Sequence, residues 1–422
     1  DIEGVGFRTA DEIAVRVGIR MDSDFRIRSG ILYVLLQAST EGHTYLPEEE
    51  LTRRTGQLLE VGEEQIEKQY MDLAIERKII MKQGENQTQI YAASFYYMEA
   101  NTATMLKQLN VSYDVPDLEI EERVRRIEKQ TGMKLDEHQM TAVKEAVRNG
   151  LLIITGGPGT GKTTTINTII KYFEMEGLDI FLAAPTGRAA KRMSETTGFE
   201  ARTIHRMLEL NGGVDGAAGF ERNEQNPLET DVVIIDEMSM VDLLLFRAFL
   251  RAVKRGTRLI LVGDSDQLPS VGAGNVLLDI LRSGRVPTVR LTEVFRQAAS
   301  SMIVQNAHLI NRGEYPVVRT RDTDFFFERK VLQSEAARTI AELLTARLPR
   351  YLGYARESWR TEAVRSIQVL SPAKKGDCGA IALNHLLQDA LNPEREGLDA
   401  ILHGETEFRV GDKVIQTKND YQ

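Results

Sequence analysis

The chain has 422 residues, of which 42% are hydrophobic and 27% charged, so it is long enough for two or three domains with their own cores. No apolar run approaches the roughly 20 residues of a membrane span, and the opening residues do not resemble a signal peptide, so we expect no membrane partner. The single cysteine, Cys378, excludes an internal disulfide framework and predicts a cytoplasmic protein, whereas the net charge of −9 excludes only a uniformly basic nucleic-acid-binding surface.

Residues 1–112 predict a small helical module. A Gly-x-Gly turn at Gly4–Gly6 leads into a helix and resembles the second half of a helix-hairpin-helix, whose backbone amides can bind a DNA phosphate. Three helices and a hairpin form a winged-helix pattern, which either binds DNA or serves only as a packing platform. The predicted elements are an apolar helix at Ile31–Leu36, a helix starting at Pro47, a third helix at Ile66–Leu73 and a hairpin at Ile79–Tyr91.

A glycine-rich segment lies between an apolar strand and an apolar-periodic helix. Residues 156–163 read Gly-Gly-Pro-Gly-Thr-Gly-Lys-Thr, the spacing of a phosphate-binding loop in the strand–loop–helix context that such a loop requires. We expect Lys162 to reach the β- and γ-phosphates of a nucleoside triphosphate and the Thr163 hydroxyl to bind Mg²⁺. The alternative is an incidental glycine-rich turn. The predicted nucleotide-binding residues are Gly157, Pro158, Gly159, Thr160, Gly161, Lys162, Thr163 and Thr164.

Apolar strands alternate with helices over the middle of the chain, which predicts an α/β fold with a doubly wound parallel sheet. In such a sheet ligands bind at the carboxyl ends of the strands. We assign residues 113–299 to a first domain of this kind and residues 300–422 to part of a second α/β domain. The predicted strands are Leu151–Thr155, Ile180–Ala184, Val232–Ile235, Leu259–Val262 and Val289–Leu291 in the first domain, and Phe325–Phe327, Ile367–Leu370 and Lys413–Gln416 in the second.

Two acidic residues end the predicted strand Val232–Ile235. Asp236 is placed to hold Mg²⁺ together with Thr163, and Glu237 is placed to polarise the water that attacks the γ-phosphate. An acid pair after an apolar run is a weak signal alone but a strong one in the same sheet as a phosphate loop. The alternative is an acid pair at a helix N-terminus.

Three further polar residues lie near predicted strand or helix ends. Gln139 either reads an adenine edge through its carboxamide or closes a capping box with Asp136, and the sequence does not decide between these roles. Gln267 follows a strand and is placed to sense the γ-phosphate. Arg296 follows the last strand and is placed to act as an arginine finger, with a surface arginine as the alternative.

A basic stretch between Ala184 and Arg206 contains five Arg or Lys against two acids. Such a run is usually a solvated helix face. Here it follows two strand ends, where side chains and a helix N-terminus can hold a nucleic-acid backbone. The candidate contacts are Thr186 with the helix that follows it, and the segment 202–206, in which His205 alone is an ordinary polar residue.

Taken in order, these segments resemble the superfamily 1 DNA helicases, and most closely the RecD-like helicases of the exodeoxyribonuclease V alpha type. The matching stretches are GGPGTGKTTT, APTGRAAKRM, TIHRML, VVIIDEMSMVD, LVGDSDQLPSVGAGNVL, LTEVFRQ and VLSPAKKGDCGAIALNHLLQ. The resemblance implies an ATP- and Mg²⁺-dependent motor that moves 5′ to 3′ on single-stranded DNA and at junctions with duplex DNA, in repair or recombination. It also implies that both α/β units are RecA-like, that Gln139 reads adenine, that Gln267 senses the γ-phosphate and that Arg296 is one arginine finger. The DNA-strand contacts that the resemblance implies are Thr186, Arg188, Thr203 and His205.

The same resemblance predicts that the chain is a fragment, because family members continue into an SH3-like insertion and a second arginine finger, and longer members also carry an amino-terminal OB-like region. Two rival functions remain open at this point. One is a nucleic-acid-binding scaffold with a vestigial ATPase, and the other is an RNA-directed or relaxase-associated helicase with similar motifs.

Overall fold

The computed structural model describes residues 7–16, 23–84, 86–211, 219–292, 300–318, 323–394, 399–404 and 406–415. The chain folds into two compact units, Asp1–Val317 and Val318–Gln422. The predicted domain limits at residues 112 and 299 stay predictions. No described helix is long and apolar enough to cross a membrane.

The first unit begins with a module of helices and a small antiparallel sheet of strand order β1-β3-β2. The predicted winged-helix elements are confirmed, while the turn at Gly4–Gly6 lies outside the described residues. Pro47 precedes α3, and three glutamates occupy the positive first turn of that helix. The elements are α1 (Phe7–Arg16), α2 (Asp24–Thr40), β1 (Tyr45–Pro47), α3 (Glu48–Leu59), α4 (Glu63–Ile75), β2 (Ile79–Gln83), β3 (Thr88–Ala92) and α5 (Ala93–Leu109).

A six-stranded parallel sheet follows, with strand order β11-β4-β10-β9-β5-β6. All five strands predicted for the first RecA-like domain are confirmed, and the short edge strand β6 was not predicted. The parallel sheet and its flanking helices form the RecA-like α/β fold. The strands are β4 (Leu151–Gly156), β5 (Ile180–Ala184), β6 (Ala201–Thr203), β9 (Val232–Ile235), β10 (Arg258–Gly263) and β11 (Thr288–Leu291), and β7 (Leu210–Asn211) and β8 (Gly219–Phe220) form a separate ribbon.

Helices cover both faces of this sheet, as the unbroken apolar strands require. Successive residues of β4 point to opposite faces, so Leu151 and Ile153 join one buried cluster while Leu152 and Ile154 join the other. The helices are α6 (Asp117–Thr131), α7 (Glu137–Arg148), α8 (Lys162–Met175), α9 (Gly187–Thr197), α10 (Ile204–Met207), α11 (Leu243–Ala252), α12 (Val276–Ser283) and α13 (Met302–Asn311), with a 3₁₀ turn at Met238–Met240.

The second unit corrects three strand predictions. The described parts of the segments at residues 325–327, 367–370 and 413–416 are not strands, and Gln416 lies outside the described residues. A strand needs a hydrogen-bonded neighbour, and the described residues of this unit pair only two other strands, in an antiparallel ribbon. The elements are α14 (Gln333–Glu342), a π-helical turn (Leu343–Arg347), α15 (Leu348–Tyr351), α16 (Trp359–Ser366), α17 (Ala380–Leu391), β12 (Ala400–His403) and β13 (Thr406–Arg409).

Candidate nucleotide-binding site and nucleic-acid interface

The glycine-rich segment forms a tight loop between β4 and α8. Gly159 and Gly161 have φ angles of 76° and 79°, in the left-handed region that favours glycine. A Cβ atom at Gly156 would lie 2.6 Å from the Thr160 hydroxyl and 2.8 Å from the Leu291 carbonyl oxygen. The backbone can therefore follow this path only if these positions lack side chains, which fits a loop whose amides converge on an anion.

Lys162 is the first residue of α8, at the positive end of that helix. Its Nζ donates to the carbonyl oxygens of Gly156 at 2.5 Å and Gly157 at 3.0 Å. The ammonium group is thus held across the mouth of the loop by its own backbone. Thr163 follows with an exposed side chain, so its hydroxyl is accessible to a ligand at the same helix end.

The acid pair lies at the carboxyl end of β9, with β10 between it and the loop strand. Asp236 Oδ1 accepts a hydrogen bond from the Glu237 backbone N–H at 2.8 Å. Burial raises the pKa of the Asp236 carboxyl, while the positive charges of Lys162 and Arg192 oppose that rise. Burial and the neighbouring Asp236 also raise the pKa of Glu237. The structure thus brings the predicted catalytic lysine and both acids into one electrostatic site.

Glu237 has an unusual backbone conformation that no sequence pattern predicts. Its φ of 57° is in the left-handed region, where a residue with a Cβ atom is strained. Strain of this kind persists where the surrounding structure fixes it, often at functional sites. The residue is therefore aimed by the turn between β9 and the 3₁₀ segment and not by a regular helix.

Gln139 closes the capping box that the sequence left open. The Gln139 backbone N–H donates to Asp136 Oδ1 at 2.8 Å, and the Asp136 backbone N–H donates to Gln139 Oε1 at 3.1 Å. The Gln139 Nε2 donates to the Gly161 carbonyl oxygen at 3.3 Å. The fully buried carboxamide thus joins the start of α7 to the phosphate loop. Each of its polar atoms keeps one further hydrogen-bonding position, so a contact with adenine stays a prediction.

Gln267 lies after β10 with an exposed side chain. Its Nε2 approaches Asp264 Oδ2 at 3.4 Å, and its backbone N–H donates to the Asp264 carbonyl oxygen at 3.3 Å. The buried Asp264 therefore orients the turn that carries the predicted phosphate sensor. The predicted arginine finger, Arg296, lies outside the described residues.

The predicted DNA contacts follow two adjacent strands, since Ala184 of β5 pairs in register with Thr203 of β6. Thr186 caps α9 through a hydrogen bond from the Ala189 N–H at 3.2 Å, and Thr203 caps α10 through one from the Arg206 N–H at 3.1 Å. The structure therefore places two capped helix N-termini side by side at one edge of the sheet. His205 lies in the short α10.

The basic stretch divides into paired and unpaired cations. Arg202 binds Glu200 at 2.8 Å, and Lys191 lies 3.9 Å from Glu195. For Arg188, Arg192 and Arg206, the described part of the chain shows no ion pair. Arg188 is also exposed, so its charge is available to an anionic partner.

Two family models match this chain, one at its amino terminus and one over its middle part. Residues 134–328 match the AAA domain model, and residues 1–45 match the model of the helix-hairpin-helix domain of ATP-dependent RecD2 DNA helicases. The ATP-dependent RecD2 DNA helicase of Deinococcus radiodurans is 33% identical over 436 residues, which cover 100% of this chain and 56% of that protein. The chain belongs to the RecD-like helicase family.

Other relatives of this RecD-like chain match its middle part. The RecBCD enzyme subunit RecD of Mycolicibacterium smegmatis is 40% identical over 168 residues, which cover 34% of this chain and 30% of that subunit. The subunit of the same name from Haemophilus influenzae is 38% identical over 203 residues, covering 42% and 30%. The RecD-like chain thus spans about half the length of the first relative and less than a third of these two.

Sequence reasoning missed two contacts in this RecD-like chain. The Gly274 backbone N–H, in the segment after Gln267, donates to the Gly42 carbonyl oxygen of the N-terminal module at 3.1 Å. His308 of α13 packs against Gly157 of the phosphate loop. Both contacts join residues far apart in the chain, and no local pattern at either end signals them.

Proposed function

We propose that this chain supplies the ATP-hydrolysing site of a DNA helicase that moves 5′ to 3′ on single-stranded DNA and acts at its junctions with duplex DNA, in repair or recombination. The observation that carries the proposal is the placement of the phosphate loop after β4, with Lys162 at the N-terminus of α8, and of the acid pair at the carboxyl end of β9 in the same parallel sheet. One cation in the phosphate loop and two carboxyls at the same sheet edge are the arrangement that phosphoryl transfer to water requires. The single cysteine supports a cytoplasmic location.

The residues present fit a magnesium nucleotide. Among the described residues, no group of three or more His, Cys, Asp or Glu side chains could hold a metal alone. Mg²⁺ typically takes one or two protein ligands and completes its shell with phosphate oxygens and water, so Thr163 and Asp236 suffice. Bound Mg²⁺ supplies charge neutralisation at the β- and γ-phosphates.

The chain's own groups have distinct roles in this proposal. The loop amides and the N-terminus of α8 bind phosphate oxygens, and Lys162 exchanges its backbone acceptors for them. Glu237, with its raised pKa, accepts a proton from the attacking water. Gln267, oriented by Asp264, is placed to respond to the terminal phosphate.

Nucleic acid would cross the edge formed by the ends of β5 and β6. Contacts from Thr186, Arg188, Thr203 and His205 would grip the sugar-phosphate backbone, which carries no sequence information. The preference for DNA and the 5′ to 3′ direction rest on the family likeness alone.

The test is to measure nucleotide binding and hydrolysis by the protein that carries these residues, with single-stranded DNA, single-stranded RNA or no nucleic acid. Lys162→Ala should weaken ATP binding, because it removes the loop cation. Glu237→Gln should keep ATP bound but unhydrolysed, since only the proton acceptor is lost. Substantial turnover in Glu237→Gln would show that this residue is not the base.

The same measurements separate the rival functions. Stimulation by DNA alone supports the proposal, while equal or greater stimulation by RNA supports an RNA-directed helicase. Nucleic-acid binding without ATP binding by the unmodified protein would identify a scaffold with a vestigial site. A strand-displacement assay on duplexes with a 5′ or a 3′ single-stranded tail tests the direction of movement.

A further inference from the structure

A histidine outside every recognised motif contacts the phosphate loop. His308 lies on α13, and a Cβ atom built on Gly157 would be 3.1 Å from His308 Cε1 and 3.8 Å from His308 Nε2. The His308 Nε2 atom is buried from solvent, and the described residues offer it no hydrogen-bond partner. The ring thus lies directly on the first turn of the loop with one polar atom unsatisfied.

This position is held by the fold around it. Asn306, two residues earlier, is 1% exposed, and its side chain forms two hydrogen bonds with the backbone of a single residue, Val317. Its Nδ2 donates to the Val317 carbonyl oxygen at 3.0 Å, and its Oδ1 accepts from the Val317 N–H at 2.7 Å. These two bonds tie α13 to the segment that follows it and so support the helix from which His308 projects.

A buried polar atom without a partner costs free energy, so it calls for an explanation in terms of function or of a missing partner. The apolar alternatives at this position would pack against Gly157 without that cost. An imidazole nitrogen can donate a hydrogen bond to an anionic oxygen, and the adjacent loop is the place where anionic oxygens are expected. A phosphate oxygen bound in the loop would therefore be the hydrogen-bond partner that His308 Nε2 lacks.

The location of His308 also indicates which end of a bound nucleotide the ring would contact. The lysine of a phosphate loop reaches the β- and γ-phosphates, and Lys162 Nζ lies 3.0 Å from the carbonyl oxygen of Gly157. His308 packs against that same glycine. It therefore lies at the γ-phosphate end of the loop and not at the end near the base.

We propose that His308 Nε2 donates a hydrogen bond to the terminal phosphate of a bound nucleoside triphosphate, so that α13 distinguishes a triphosphate from a diphosphate. This inference rests on the proposed ATP site. His308 binds and senses the phosphate in this scheme, and it transfers no proton. Because Asn306 fixes α13 to Val317, a displacement of His308 by the γ-phosphate would be transmitted to the end of the first unit.

The experiment compares the binding of a non-hydrolysable ATP analogue and of ADP, both with Mg²⁺, in His308→Ala, His308→Gln and the unmodified protein. Loss of a hydrogen bond to a charged group should weaken the ATP analogue about tenfold or more, and ADP by less than about twofold. His308→Gln retains an N–H donor and should recover part of the loss. Ile310→Ala, on the same helix at a side chain that is 58% exposed, is the matched control and should leave both affinities unchanged.

A second measurement uses the unmodified protein and does not depend on the folding of a variant. The chain has six histidines, so their Cε1–H NMR signals can be resolved, and the His308→Gln spectrum assigns the signal of interest. The ATP analogue should shift the His308 signal, and ADP should shift it much less. Equal losses for both nucleotides, or a His308 signal that neither nucleotide moves, would overturn the inference while leaving the ATP site intact. If the unmodified protein binds neither nucleotide, the proposed function itself fails.

Discussion

Gln139 has two proposed roles, capping α7 and reading adenine, and mutation can separate them. Its partner in the capping box, Asp136, can be changed while the Gln139 side chain stays in place. Asp136→Ala removes the acceptor of the Gln139 backbone N–H and leaves the Gln139 side chain in place. Gln139→Ala removes the carboxamide that binds both the Asp136 N–H and the Gly161 carbonyl oxygen. If Gln139 also reads adenine, only the second change affects the choice of base.

The magnitudes follow from the bonds involved. Asp136→Ala should lower the free energy of unfolding by about 1 kcal/mol, the usual cost of a lost N-cap. Gln139→Ala should cost roughly 2 kcal/mol, because two neutral hydrogen bonds of about 1 kcal/mol each are lost from a fully buried side chain. A two-point contact between a carboxamide and adenine adds about 1–3 kcal/mol of base discrimination, or roughly a 5- to 150-fold preference.

Urea denaturation measures the first two values, and competition between ATP and GTP for the site measures the third. Gln139→Ala should reduce the ratio of GTP to ATP dissociation constants by that factor, while Asp136→Ala should leave the ratio unchanged. Loss of the bond to Gly161 weakens every nucleotide alike, so the ratio is insensitive to it. If Gln139→Ala weakens ATP and GTP by the same factor, the residue is a cap and a loop support only, and the adenine role is wrong.

Three further changes have defined outcomes. Burial and Asp236 raise the pKa of Glu237, so the proposed base becomes protonated at a higher pH than an ordinary glutamate. As the pH is lowered, the rate of ATP hydrolysis should therefore begin to fall above pH 4.5, the ordinary pKa of a glutamate side chain. A rate that stays constant down to that pH would contradict the role. Arg188→Ala should weaken binding of all single-stranded DNA sequences alike and reduce the salt slope by about 0.7, whereas a sequence-selective loss would exclude a backbone contact. Gly274→Ala should destabilise the protein by at least about 1 kcal/mol in urea denaturation, because φ is +97° and the new Cβ would lie 2.9 Å from a Cβ atom of α11. Gly219→Ala, with open space around it, should change stability by less than about 0.5 kcal/mol.

The sequence predicted the central sheet because its signals are local. Each strand of the first RecA-like domain is a short apolar run, and the glycine-rich and acidic segments follow such runs directly. The same locality explains the capping box, since Asp136 and Gln139 are three residues apart. The contact of Gln139 with Gly161 was out of reach, because it joins two segments through the packing of α7 against α8.

The second unit shows where apolar runs mislead. Ile367–Leu370 has the composition of a strand, yet Leu370 is 86% exposed and the segment is irregular. A parallel strand is stable only when a neighbour supplies its hydrogen bonds and helices cover both faces. Within the described residues of this unit, the paired strands are β12 and β13, which run antiparallel with Ala400 opposite Arg409 and His403 opposite Thr406. The composition of a segment predicts its tendency to adopt an extended backbone. Whether that segment forms a strand depends on a neighbouring strand that can accept and donate its backbone hydrogen bonds.

The spatial order of the strands explains why a glycine ends β10. Chain order runs β4, β5, β6, β9, β10, β11, but β10 lies between β4 and β9, so its carboxyl end separates the phosphate loop from the acid pair. Gly263 ends β10 at that point, and a Cβ atom there would lie 2.9 Å from Leu277 Cδ2 and 3.2 Å from the Met238 backbone nitrogen. A side chain at Gly263 would therefore push against the turn that aims Glu237. The distance between the Lys162 ammonium group and the Glu237 carboxyl thus depends on Gly263, and the order of the strands in the sheet places that glycine between the two segments.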